Sequence, residues 1–376
     1  MPLLVSLPFM FYPKVLDGDT QPWVLSAALI ALFTFRTEGF VKRRDGIFIL
    51  LSLLSIVAYA IRSTEGFFLL RNVYTYATFL ILWIVCQRAK GEYFPGAVKA
   101  TVMIWFTVGL YQYVGATLGY QVAISGRYLA GRMGPPSLTA EASYYGSLSM
   151  LQLMYILSEK NAKNALFVIC AVASVVLSGS MLAMILLIFP LRRLPTRFRI
   201  GILLLLPLFV AGDFYLTSSG LTSRLKSVTG EGLGISGLFL DASLNLRVGH
   251  MYFTMFQHLI PSLVLAGPVD FMSQYNDFAT NSGLFIETGT NYILPAVGEM
   301  IYGSGPLAVV LLMLLLKRAQ ENCGTRGEKV EKIAFIIACM LNPITISNAF
   351  LVLYAQSPTA RRAGSHARLE KTYAVS

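Results

Sequence analysis

Long apolar runs, broken by short polar or basic stretches, occupy most of the chain from Met1 to Ala355. A helix needs about 20 mostly apolar residues to cross about 30 Å of hydrocarbon. By that length the pattern predicts helices over Met1–Leu16 (short), Gln21–Arg36, Asp45–Arg62, Gly66–Cys86, Pro95–Tyr120, Ser143–Ser158, Arg199–Thr217, Asn291–Leu316 and Lys332–Tyr354. Glu159 to Leu194 is too long for one crossing and just long enough for two helices joined by a turn at Ser178-Gly179-Ser180, where small polar residues interrupt the run. Asn342-Pro343 splits the last segment, which reads as either one kinked helix or a re-entrant pair.

Basic residues decide between the hairpin and a single span, because the two place everything downstream on opposite sides and cytoplasmic loops carry the excess of Lys and Arg. With the hairpin and a cytoplasmic N-terminus, Lys42-Arg43-Arg44, Arg88 with Lys90, Lys160 with Lys163, Arg192 to Arg199 and Lys317 to Lys332 all fall inside. The longer outer segments then hold only Lys14, Arg62, Arg127, Arg132, Arg224, Lys226 and Arg247. The expectation is an all-α, polytopic integral membrane protein: one bundle over residues 1–376 with about 11 or 12 transmembrane helices. Its outer face carries a first loop at 121–142 and a long Gly- and Ser-rich loop at 218–290. Within the long loop, His250–Gly267 predicts an interfacial amphipathic helix bent near Pro261, because His250, Gln257 and His258 interrupt its apolar character.

Composition agrees with the pattern. The 376 residues are 55% hydrophobic and 13% charged, with mean hydropathy +0.63, which excludes a water-soluble globule. The net charge of +11 then reads as topology signal, not as a nucleic-acid footprint, so the expected partner is the lipid bilayer and no nucleic acid. Cys86, Cys170, Cys323 and Cys339 form no CxxC pair, and His250, His258 and His366 are scattered, so no metal and no cofactor are expected. The segment before Pro13 lacks a basic start and a small-residue cleavage site, and reads as a short first span instead of a signal peptide. No internal repeat aligns, so an inverted-repeat transporter gains no support.

On the outer side arginines are unexpected, which singles out Arg127, Arg132 and Arg247. A guanidinium presents a planar fork of donors that fits phosphate oxygens, although contacts to lipid headgroups explain the same residues. Glu141, at the mouth of the next span, suits either an ion pair with these arginines or a carboxylate held for proton abstraction, and spacing does not separate the two. Arg71 lies inside a span five residues from its outer end, where it either snorkels to the headgroups or makes a rim contact with substrate.

The motifs fall in a definite order: Arg132-Met-Gly, then Glu141-Ala-Ser143-Tyr-Tyr-Gly146 entering a helix, then Leu177-Ser-Gly-Ser-Met181 between two helices. Asn245-Leu-Arg247 follows, with Pro261 and Gly267 beyond it, and then Thr290-Asn291-Tyr-Ile-Leu294 with Glu299 and Gly303 or Gly305. From Arg132 to Gly305, this succession resembles the O-antigen ligase and Wzy-type polymerase superfamily of bacterial inner membranes. The resemblance implies a type C glycosyltransferase-like fold with its active site facing the periplasm. It also implies an undecaprenyl-diphosphate-linked oligosaccharide as both donor and acceptor, and a chain-length-regulating co-polymerase as a further partner. On that reading Glu141 and Arg247 are catalytic, while Arg132, Arg127, Asn245, Ser180, Asn291, Glu299 and Arg71 contact substrate.

Two departures from the family pattern bear on the activity. Met181 stands where the family often has Arg or Lys, removing an expected cationic contact, and Thr290 stands where ligases carry histidine. The second favours a polymerase of lipid-linked repeat units over a ligase that transfers glycan to lipid A core. A flippase or transporter for the same lipid-linked oligosaccharide is the third reading. It calls for charged or broken-helix sites near mid-membrane, whereas the unusual polar groups cluster on the outer face.

Overall fold

The computed structural model describes residues 23–34, 45–63, 66–88, 93–118, 120, 135, 137–139, 142–158, 165–202, 204, 242–265, 270–289, 293, 295–341 and 344–357. The expectations for Met1–Leu16, for most of 121–142, for most of Arg199–Thr217 and for 218–241 lie outside them. The protein is all-α, with no strand among the described residues.

The first helices follow the apolar runs closely: α1 (Trp23–Thr34), α2 (Gly46–Arg62), α3 (Gly66–Arg88) and α4 (Tyr93–Thr117). Two stretches, Leu69–Gln87 and Phe94–Gly115, are long and apolar enough to cross a membrane. Next comes α5 (Ala142–Ser158), buried all round over 145–156. A helix buried on every face belongs at the centre of a bundle, and α5 is packed against α4, α6 (Ala165–Leu177), α7 (Met181–Leu186), α8 (Ile188–Arg193) and the last helix. Trp105 of α4 fills the space between Tyr145 and Phe350, with ring centroids 6.3 and 5.8 Å away.

The Ser178-Gly179-Ser180 turn between α6 and α7 is present. Gly179 takes φ 61°, the left-handed conformation glycine adopts without strain, and Ser180 accepts a hydrogen bond from the Ala183 N–H to cap α7. The turn is buried against α5, where a Cβ at Gly146 would collide with the Ser178 hydroxyl.

Two expected segments prove to be broken. The run Asn291–Leu316 is not one helix: α12 (Ala296–Ser304) and α13 (Pro306–Glu321) meet at Gly305, which has φ 56° and ψ −127°. Glycine alone enters that region readily, and Pro306 then opens the next helix at a position where its missing N–H costs nothing. Beyond the capping box of Thr325 and Glu328, Lys332–Tyr354 is two helices, α14 (Arg326–Met340) and α15 (Ala349–Gln356). The pair doubles back tightly: Lys332 Nζ donates to the Ser357 carbonyl at 2.7 Å, and Phe335 meets Tyr354 at 5.3 Å. Asn348 restarts the chain by capping α15 through Phe350 N and Leu351 N.

One end of the bundle gathers the basic side chains into ion pairs. Arg318 reaches Asp45 at 3.3 Å and Glu321 at 2.8 Å, and Arg193 reaches Glu331 and the Ser158 hydroxyl, each at 2.8 Å. Gln356 joins the same end, donating to the Trp83 carbonyl while its own carbonyl accepts from Asn322. Arg193, Arg318 and Lys332, which the positive-inside pattern assigns to one side, therefore do lie together. The opposite end carries the candidate chemistry.

Candidate functional site

The segment expected as a single amphipathic helix over 250–267 is half of a helical hairpin. Its first limb begins earlier, as α9 (Ala242–Tyr252), widens into a π-helical turn over Phe253–Gln257 and resumes as α10 (Leu259–Leu263). The limb is interrupted at Phe253–His258, one turn before Pro261, whose ring leaves no hydrogen bond to the Gln257 carbonyl four residues back. The second limb is α11 (Phe271–Ser282), capped by the Asp270 carboxylate and ended by Gly283 at φ 62°. Between the limbs Phe253, Phe271, Tyr275 and Ala279 form an apolar cluster, together with Ile293 and Tyr302. Gly249 lets the limbs approach, since a Cβ there would strike the Tyr275 hydroxyl.

Two asparagines fasten the chain that leaves α11. Asn245 binds the Leu284 carbonyl at 3.2 Å and the Ile286 N–H at 2.9 Å, and Asn276 clasps Thr288 through both its N–H and its carbonyl. The Asn245 amide is thus engaged in fixing the loop that leads toward α12. Ser180 is likewise engaged, as the buried cap of α7.

Glycines set the register between the hairpin and α12. A Cβ at Gly298 would stand 2.8 Å from Thr254 Oγ1, and one at Gly305 would collide with the Ser262 carbonyl. Both numbers rise together, so the first limb runs parallel to α12. Arg247 lies seven residues before Thr254 on nearly the same helical face, about 10 Å back along the axis. It is partly buried, with its Nε shielded from solvent, on the side where α12 begins.

Arg71 of α3 pairs with Glu299 of α12 at 3.2 Å, the two side chains 13% and 14% exposed. The sequence reading names both as substrate contacts without linking them, and the fold makes them partners. Tyr59 of α2 lies within electrostatic reach of both and shares a hydrogen bond with Asn72, while its ring packs where a Cβ at Gly303 would be. Arg62, 6% exposed, donates to the carbonyls of Tyr302 (2.9 Å) and Gly303 (3.1 Å), holding the last turn of α12. The Tyr302 hydroxyl donates to Gln274 Oε1 at 2.8 Å, and its ring lies 5.0 Å from His258. Burial first, and Arg62 second, hold the His258 imidazole below its ordinary range and so neutral.

Tyr59, Asn72, Tyr302 and Gln274 are absent from the sequence reading. Arg62 counts there only as an outer charge, and His258 as an interruption of an apolar run. Glu141, Arg127, Arg132 and Asn291 lie outside the described residues.

His250 belongs to the hairpin core, edge-on to Phe271 (4.8 Å) and Tyr275 (4.5 Å), where burial lowers its pKa from 6.5 to about 3. Unfolded chain takes up this proton near pH 6.5, whereas folded chain takes it up only near pH 3. The stability it contributes is therefore complete above pH 6.5 and drains away as pH falls toward 3. Thermal melts between about pH 7.5 and pH 5 should show the wild type losing melting temperature more steeply than His250→Asn. Parallel pH profiles would exclude a buried neutral imidazole.

Comparison of this chain with protein-family models, with curated proteins and with solved structures found no match.

Proposed function

We propose that the chain is a polytopic membrane glycosyltransferase that polymerises undecaprenyl-diphosphate-linked oligosaccharide repeat units at the periplasmic face of a bacterial inner membrane. The observation that supports this reading is the largely buried Arg71–Glu299 pair at the end of the bundle opposite the basic ion pairs, with Arg247 on the hairpin limb that meets α12 through Thr254 and Gly298. An arginine fork on a rigid limb is a ready anchor for diphosphate oxygens. The ordered motifs from Arg132 to Gly305 supply the rest of the support.

In this chemistry the anomeric C–O bond to the diphosphate breaks while a new glycosidic C–O bond forms to the acceptor hydroxyl. Negative charge grows on the departing diphosphate, where Arg247 and Arg132 stabilise it without having to reorganise. Glu141 takes the hydroxyl proton. A chain-length-regulating co-polymerase would act on the product.

One observation favours a second reading. The Gly305 break and the re-entrant α14–α15 pair are interruptions of the kind used by transporters, so a lipid-linked oligosaccharide flippase stands as the alternative. Purified protein given lipid-linked repeat units separates the readings. Polymerase activity yields a ladder of products, transfer to added lipid A core identifies a ligase, and movement across vesicles without bond formation identifies a transporter. In the same assay Arg247→Lys keeps the charge but loses the fork, and should lose most of the ladder. Near-normal ladders from Arg247→Lys would reduce Arg247 to general electrostatics.

A further inference from the structure

At the basic end of the bundle three helices meet around one aromatic contact. Phe335 of α14 lies edge-on to Phe189 of α8 at 5.5 Å and to Tyr354 of α15 at 5.3 Å. Arg193 follows Phe189 by four residues on α8, and Lys332 precedes Phe335 by three on α14, so each cation projects from the face that carries its phenylalanine. The two cations therefore share one junction with Tyr354, and Arg193 lies within electrostatic reach of both Lys332 and Tyr354.

The hydrogen-bonding capacity of these three side chains is only partly used. Arg193 gives Nε to Glu331 and Nη1 to the Ser158 hydroxyl, while its Nη2 is shielded from solvent and meets no acceptor among the described residues. The Tyr354 hydroxyl is fully buried and likewise has no partner there. Lys332, 1% exposed, donates to the Ser357 carbonyl and stands 5.2 Å over the Tyr354 ring, and its remaining N–H groups have no acceptor among the described residues.

Charge is unbalanced in the same place. Two cations stand against the single carboxylate of Glu331, because Glu328, the other acid of this helix turn, is committed to the N–H groups of Gly324 and Thr325. A buried ammonium calls for a counter-charge, and buried donors that the protein does not satisfy are where ions and waters reside. Water accepts hydrogen bonds but brings no charge, whereas an anion supplies both. One net positive charge and donor atoms shut off from solvent suit a single halide better than a lipid phosphate.

We infer that the α8–α14–α15 junction binds one chloride-sized monovalent anion, held by Arg193 Nη2, Lys332 Nζ and the Tyr354 hydroxyl. The anion fastens the end of α8 to the α14–α15 pair, and the site is independent of the activity proposed above.

Purified full-length protein in detergent, kept at constant ionic strength while chloride replaces gluconate, should bind one radiolabelled chloride per chain saturably, and its melting temperature should rise along the same curve. Tyr354→Phe removes a hydroxyl that no described group holds, so in gluconate it should melt no lower than wild type, yet bind chloride at least about tenfold more weakly. Lys332→Met removes the excess charge and should abolish saturable binding. That variant also gives up the Ser357 contact, so Tyr354→Phe carries the test if Lys332→Met fails to fold. No saturable chloride binding, or wild-type affinity in Tyr354→Phe, overturns the site. A melting temperature that follows ionic strength whatever the anion reports screening alone and overturns it equally.

Discussion

Arg71→Met should destabilise the protein by about 2–4 kcal/mol, toward the low end of what is lost when one partner of a fully buried ion pair is removed. The methionine keeps the apolar stem but leaves the Glu299 carboxylate, only 14% exposed, without its guanidinium and close to Tyr59. Adding Glu299→Gln should return most of that loss, since the double variant buries no lone charge. Thermal melts of the two single variants and the double variant form the cycle that measures the coupling. A double variant that melts like wild type but makes no product assigns the pair to substrate handling. If Arg71→Met melts like wild type, the pair is not a structural contact.

Glu141→Gln should lower turnover by a factor on the order of 10²–10⁴, the range expected for losing a general base. The glutamine preserves volume and one acceptor oxygen, so donor affinity and melting temperature should hold. If Glu141 instead compensates Arg132 or Arg127, removing its charge leaves a partly buried arginine uncompensated, and melting temperature falls along with a modest loss of rate. Turnover, donor affinity and melting measured on one preparation distinguish these. Normal values for all three would remove Glu141 from both roles.

Helices α1 to α5 are legible in the sequence because each is an apolar run bounded by charge or glycine, and length alone separates such runs. The Ser178-Gly179-Ser180 turn is legible for the same reason. The Gly305 break is hidden although Gly305-Pro306 is a strong local stop signal, because the hydropathy on both sides of it is continuous. The interruption one turn before Pro261 has a sequence signal in that proline, whereas the widening into a π-helical turn over Phe253–Gln257 leaves no mark on the apolar pattern.

The site is legible only in fragments. Arg71 and Glu299 each stand out in the sequence, but they are 228 positions apart, and no periodicity links residues at that range. The same holds for Arg62, whose carbonyl partners on Tyr302 and Gly303 lie 240 and 241 positions away. The glycines of α12 form a visible pattern, yet their meaning is steric: Gly298 faces Thr254, Gly303 faces Tyr59 and Gly305 faces the Ser262 carbonyl. Only a fold shows which neighbour each one makes room for.

The α14–α15 pair has a consequence for parity. A segment that enters and returns contributes an even number to any count of crossings, however apolar its residues. Lys332 holding the Ser357 carbonyl, with Gln356 beside Asn322, means that the chain leaves α15 at the end where it began α14. On the proposed membrane reading, counting Lys332–Tyr354 as one crossing would invert the sidedness of whatever follows Ser357. On that reading a reporter fused beyond that point should share a compartment with Arg318 and Glu331, whether the helices before it number odd or even.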